Sequence, residues 1–189
     1  MPYLYVAGDV SLLDLPGVAI VGSRKATPAA LQRAEQLARA LAQRSIVTVS
    51  GLAEGIDEAA HRAAIASGGK TIAIIGTPLE RAYPAKHSSL QEEIYRNHLL
   101  VSPFEPGTRT FPSHFPERNR VMARLTRATV IIEASDTSGS LHQAVECETQ
   151  GRALFIAESV LKNEKLTWPR RFKSAHVMRT ADDVIAQIF

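Results

Sequence analysis

Short apolar runs alternate with stretches of helical periodicity along nearly the whole chain, and almost every apolar run ends in a cluster of glycine, serine or proline. The runs are Val18 to Val21, Ile46 to Val49, Thr71 to Ile75, Leu99 to Val101, Ala128 to Glu133 and Arg152 to Ile156. A continuous apolar run this short is a strand buried on both faces, as in a parallel sheet, rather than a half-solvated strand of alternating polarity. Between the runs lie expected helices at 28–43, 56–67, 88–97, 118–127 and 140–150. The first carries Leu31, Ala34, Leu37, Ala38 and Leu41 on one face. Thr27-Pro28 reads as an N-cap followed by proline at the first helical position. Ser88 with Gln91, and Ser140 with Gln143, have capping-box spacing. Gly68-Gly69 fits a left-handed C-terminal cap. Residues 1–16 read as a lead-in with turns, 158–174 as irregular, and Ala181 to Ile188 as a closing helix. The pattern predicts an α/β protein: a Rossmann-like, doubly wound, mainly parallel sheet with helices on both faces. One such domain over 1–189 is expected, with no second domain or solenoid repeat.

The composition agrees. Hydrophobic residues make up 45% but aromatic ones only 6%, so the core must be largely aliphatic. No apolar run approaches the ~20 residues of a membrane span. The segment Met1 to Asp9 lacks a charged region followed by an apolar one, so a cytoplasmic protein is expected. The one cysteine, Cys147, excludes an internal disulfide and sits in a helical pattern, as a buried structural thiol would. A net charge of +3 supports nucleic-acid binding only weakly, but its distribution is uneven. Arginines 109, 118, 120, 124 and 127 face one acid, Glu117. A second cluster holds Lys162, Lys165, Arg170, Arg171 and Lys173, with Glu164 as its acid.

In doubly wound sheets ligands bind where strands end, so the loops after strands matter most. Four of them suit phosphate. Gly22-Ser23-Arg24 combines a glycine that lets an anion approach the backbone, a helix N-terminus and a guanidinium. Ser50-Gly51 through Gly55-Ile56-Asp57 offers backbone amides, with Asp57 expected to cap the helix. Ser138-Gly139-Ser140 places small hydroxyl residues at a helix start. Phe115-Pro-Glu-Arg118-Asn119-Arg120 adds two guanidinium forks and an amide before a buried strand. Phe111 or Phe115 could stack a base, or be packed. None of these is a Walker loop or a GxGxxG turn.

No nucleophile–base pair stands out, and no catalytic residue is assigned. His87, His98 and His114 have no metal-ligand spacing, so neither a metal nor a cofactor is expected. His61 is expected to be a packing or surface residue. Glu133 and Asp136 are the acids best placed for chemistry, and Glu133 could equally orient Arg118 or Arg120.

Taken together, Gly22-Ser23-Arg24, the run from Val49 to Asp57 continuing to Ala64, Thr71 to Gly76, Tyr83-Pro84, Phe115 to Arg120, and Glu133-Ala134 with Ser138 to Leu141 resemble the DNA-processing protein A (Smf) family. The Ser-Gly-Leu-Ala-x-Gly-Ile-Asp and Phe-x-x-Arg-Asn-Arg runs are the specific ones. The resemblance implies an extended Rossmann fold, a homodimer, a positive pocket for single-stranded DNA and loading of the RecA recombinase. Carried over by motif, Gly22, Ser23, Arg24, Ser50, Gly51, Arg118, Asn119, Arg120, Ser138, Gly139 and Ser140 would line that pocket. The chain departs from the pattern in three places. An accessory N-terminal helical domain and a C-terminal winged helix do not fit within it. His142-Gln143 replaces the usual Ile-Thr. The basic stretch 162–173 stands where a glycine-rich segment is usual.

Two other readings share the fold. Phosphoribohydrolases of the Lonely Guy type look similar around the arginine helix start and the Gly-Thr loop, but their essential glutamate falls on Gln143, and an amide cannot act as a general base. A nucleotide-sensing protein could use the same pocket, with the 102–114 loop closing over it.

Overall fold

A computed structural model of the chain describes residues 3–188, so the first two residues of the lead-in and the last residue lie outside it. The expected strands and helices form, and two further strands appear at the edges. In chain order the elements are β1 (Tyr5–Gly8), β2 (Gly17–Val21), α1 (Pro28–Gln43), β3 (Val47–Ser50), α2 (Ile56–Ala66), β4 (Thr71–Ile74), α3 (Ser88–Asn97) and β5 (Leu99–Ser102). Then follow α4 (His114–Leu125), β6 (Ala128–Ile131), α5 (Ser140–Thr149), β7 (Ala153–Ala157), the single turn α6 (Glu158–Leu161), β8 (His176–Met178) and α7 (Ala181–Ile188).

The strands make one sheet in the order β1-β5-β4-β3-β2-β6-β7-β8. Every pairing is parallel except β1 with β5. From β2 the chain adds strands outward to β5, then crosses back to place β6 on the other side of β2. Right-handed crossovers before and after that reversal put helices on opposite faces, with α1 against α2 and α4 against α5. The gap between β2 and β6 is the switch point, where the two loops leave the sheet in opposite directions and open a crevice. The inner strands β2 to β6 are buried throughout, and the core they carry is aliphatic: Val18, Ile20, Val49, Ile74, Val130 and their neighbours.

β1 and β8 went unread for a common reason. Edge strands need only half their surface covered, and β1 alternates between half-buried and exposed residues instead of forming an apolar run. β8 is three residues long.

Several local expectations shift. Thr27 does cap α1, its hydroxyl accepting from Ala30 N–H at 3.3 Å, with Pro28 in the first turn. Gly68 adopts the left-handed φ of 69° after α2, as expected of its cap. Neither capping box forms. Gln91 donates instead to Leu79 O at 2.9 Å, and Gln143 to Thr129 Oγ1 at 3.0 Å, each amide turned into the interior. Helix α4 begins at His114, four residues before the expected start, because Pro116 in its first turn gives up no helical hydrogen bond. That earlier start puts Arg118 and Asn119 on a buried face.

Candidate nucleic-acid interface at the switch point

A cavity of about 490 Å³ opens at the carboxyl ends of β2 and β6. Its lining comes from three segments, 21–25 after β2, 137–143 at the start of α5 and 115–122 in α4, completed by Ala53 and Asp57. Gly22, Ser23, Arg24, Arg118, Asn119, Ser138, Gly139 and Ser140 therefore meet in one place, although they come from three distant stretches of sequence. Ser50 and Arg120 do not line this cavity, and Gly51 lies in an adjoining cleft of about 50 Å³ with Tyr83 and Phe115.

The 22–27 loop is held closely. Gly22 has no room for a side chain: a Cβ there would lie 2.7 Å from Ile56 and 2.8 Å from Glu133 O. Ser23 N–H donates to Glu133 O at 2.7 Å, and Ser23 Oγ accepts from Lys25 N–H. The Glu133 carboxylate accepts from both the N–H and the hydroxyl of Thr27, at 3.0 and 2.6 Å. It thus ties the start of α1 to the end of β6 and orients neither Arg118 nor Arg120. Arg24 and Lys25 project from this anchored loop, both exposed.

The Ser50 loop departs most from its expected role. Ser50 is fully buried, and its hydroxyl donates to Ile20 O at 2.6 Å, stitching β3 to β2. The amides expected to receive an anion already have one. Asp57 caps this loop and not the helix: its carboxylate accepts from Gly51 N–H at 3.0 Å and from Ala53 N–H at 3.4 Å. Burial raises the Asp57 pKa, and the nearby Arg118 charge acts against that rise.

Arg118 is buried too. Its Nη1 donates to Gly51 O and Ile74 O, both at 2.6 Å, and its Nε to Asn119 Oδ1 at 3.0 Å. Burial lowers its pKa while Asp57 supports its charge. The guanidinium is therefore largely engaged with the protein, and the Arg118–Asp57 charges balance. Arg24 and Lys25 supply the cavity's uncompensated positive charge. Opposite them Ser138 and Ser140 share a hydroxyl–hydroxyl hydrogen bond of 2.6 Å at the start of α5. Arg120 is 55% exposed and faces Glu146 at 3.3 Å on the outside of α4.

Lys25, Thr137 and His142 also line the cavity and were not singled out. Lys25 and Thr137 each adjoin a run that was, so only the boundary was missed. His142 stands out in the sequence only as a departure from the family pattern, which does not mark it as lining a cavity. Phe115 forms part of the wall, with its ring 5.3 Å from that of Tyr83. Phe111 lies elsewhere, packed edge-on against His114.

Little in the wall suits bond cleavage. Gln143 spends its amide on Thr129. Glu146 is paired with Arg120 and Gln150. Asp136 does not line the cavity and accepts from Thr167 and Trp168. His61 is wholly buried against Thr71. Cys147 is buried, and that burial raises its thiol pKa. No group of three metal-ligating side chains occurs among the described residues, and no described helix is long and apolar enough to cross a membrane.

Comparison with known proteins agrees with this arrangement. The family model of DNA recombination-mediator protein A matches residues 1–189. The DNA processing protein DprA of Streptococcus pneumoniae is 43% identical over 159 residues, 84% of this chain and 56% of that protein. This chain thus spans little more than half of that relative's length. The X-ray structure of the S. pneumoniae protein superposes with a TM-score of 0.89 at 37% identity, covering 97% of this chain and 65% of that one. A DprA structure from Helicobacter pylori, described in terms of a single-stranded DNA binding mode, superposes with a TM-score of 0.87 at 30% identity, over 98% of this chain and 86% of that one. With the switch-point cavity, the specific sequence runs and a full-length family match in agreement, this chain belongs to the DNA recombination-mediator protein A family.

Proposed function

We propose that this chain binds single-stranded DNA in the switch-point cavity and acts in DNA processing during natural transformation and recombination. Arg24 and Lys25 hold the sugar-phosphate backbone from one wall, and the Ser138–Ser140 turn accepts it at the other. Arg118 and Asn119 line the cavity with them. These groups recognise phosphate and carry no base code, so binding tolerates any sequence. The observation that carries the reading is the convergence of Arg24, Lys25, Asn119 and Ser140 on one cavity whose acids are either neutralised or turned away. In the same reading the chain acts as a homodimer in the cytoplasm and passes the strand to RecA, as the sequence resemblance implies.

Fluorescence anisotropy with unrelated single strands over a salt series tests this. Affinity should fall steeply with salt, with a slope near 0.7 for each phosphate contacted, and Arg24→Ala should weaken all sequences alike. Sequence-dependent losses, or no binding of single strands at all, would refute it. Release of free base from nucleoside monophosphates would favour the hydrolase instead, a reaction for which Gln143 offers no general base.

A further inference from the structure

The basic stretch 162–173 is not accounted for by the cavity. It leaves the sheet from the carboxyl end of β7, the same edge on which the cavity opens. It is also fastened to the loop that forms the cavity's wall. Asp136 Oδ1 accepts from Thr167 N–H at 2.9 Å, Thr167 Oγ1 at 2.8 Å and Trp168 N–H at 2.8 Å. Trp168 is buried, and its indole N–H donates to Ala134 O at 3.0 Å. Asp136 lies one residue before Thr137, where the cavity wall begins. The turn at 168–171 is thus a rigid neighbour of the cavity and not a loose tail.

Its charged side chains face outward. Lys165, Arg170, Arg171 and Lys173 are exposed, and among the described residues none of them makes an ion pair. Lys162 pairs with Glu158. These four exposed cations outnumber the segment's one acid, the exposed Glu164, and held on a fixed scaffold beside a phosphate cavity they leave a positive potential that suits an anion lying across it.

We propose that this segment is a second phosphate-binding track, along which a strand leaving the cavity past Thr137 and Ser138 continues over Arg170 and Arg171. The partner is the sugar-phosphate backbone of the same single strand, so the inference rests on the cavity binding single-stranded DNA. It predicts that affinity grows with strand length beyond what the cavity holds.

The test uses oligothymidylates of roughly 5 and roughly 25 nucleotides, the short one within the range of a single binding groove. The full chain and the Arg170→Ala/Arg171→Ala double variant are compared, with thermal melts to confirm equal folding; Lys165→Ala/Lys173→Ala serves as an independent second variant. The full chain should bind the long strand more tightly. The Arg170/Arg171 variant should bind it roughly tenfold more weakly, with a salt slope shallower by about 0.7 for each contact removed, while affinity for the short strand barely moves. If the variant binds the long strand as the full chain does, the track is overturned. If the full chain gains nothing from length, the track is overturned and the cavity stands. If the full chain binds neither strand, the cavity reading falls and the track with it.

Discussion

Arg118 Nη1 donates to two backbone carbonyls from different strand ends, Gly51 O and Ile74 O, at 2.6 Å each. A cation that sequence alone marks as a phosphate fork therefore clamps the carboxyl ends of β3 and β4 to α4. Removing it would leave two buried carbonyls without a donor and Asp57 without its counter-charge. Arg118→Ala should cost roughly 2–4 kcal/mol in urea unfolding, and Arg118→Lys should recover little of it because an ammonium lacks the planar fork. Arg24→Ala, at an exposed position, should leave stability within about 0.5 kcal/mol while weakening single-strand binding roughly tenfold. An unchanged midpoint for Arg118→Ala would show the clamp to be unimportant.

Gly51 is the other half of this contact. A Cβ there would fall 1.9 Å from Arg118 Nη1 and 2.4 Å from Cζ, inside any tolerable separation. Gly51→Ala should displace the guanidinium and lose most of what Arg118→Ala loses. The double variant should then cost much less than the sum of the two, since both remove the same interaction. Additive losses in urea titrations would mean the two residues are not coupled.

The sheet and its helices were legible because buried parallel strands must be continuously apolar, and the runs from Val18 to Ile156 are. Three of the loops that converge were legible too, since in a doubly wound sheet the loops after strands share the carboxyl edge. The duties of individual polar residues were not. Ser50, Asp57 and Arg118 have the composition of an anion site, yet their side chains bond to backbone groups of Ile20, Gly51, Ala53 and Ile74. Which acceptor lies opposite a buried donor depends on the register of distant strands, and no local pattern encodes that. The same limit hid the inward turns of Gln91 and Gln143, whose capping-box spacing is purely local.

Arg120 belongs to the same specific run as Arg118 and has a different surrounding. It is more than half exposed, lies outside the cavity and meets Glu146 at 3.3 Å. An exposed pair of this kind contributes little. Arg120→Ala should shift stability by less than about 0.5 kcal/mol and leave binding of a short single strand nearly unchanged. A large loss of short-strand affinity in anisotropy titrations would place Arg120 in the binding surface after all.

His61 makes stability depend on pH. Its Nδ1 lies 2.7 Å from Thr71 Oγ1, and the Thr71 hydroxyl donates to Thr48 O, so Nδ1 carries the proton and Thr71 accepts it. Nε2 is buried without a partner, so a second proton there would find no acceptor. Burial, and after it the charges of His98, His87 and Arg118, push the His61 pKa down to about 3 from an ordinary value of 6.5. The unfolded chain therefore binds a proton that the folded chain refuses between those two values. Stability from this residue is fully present above pH 6.5 and is lost as pH falls toward 3, at up to about 1.4 kcal/mol for each unit. His98, with its pKa also lowered chiefly by burial, acts in the same direction. Most carboxylates titrate below about pH 4.5, and Asp57, whose pKa burial raises, would stabilise on acidification and so oppose the histidines; the part of the slope between pH 6.5 and 5 that His61→Gln removes therefore reports His61. In that interval unfolding free energy should drop on acidification, and His61→Gln should flatten the slope even if it starts less stable at pH 7. A variant whose stability falls in parallel with the full chain from pH 6.5 to 5 would show that the proton is taken up elsewhere.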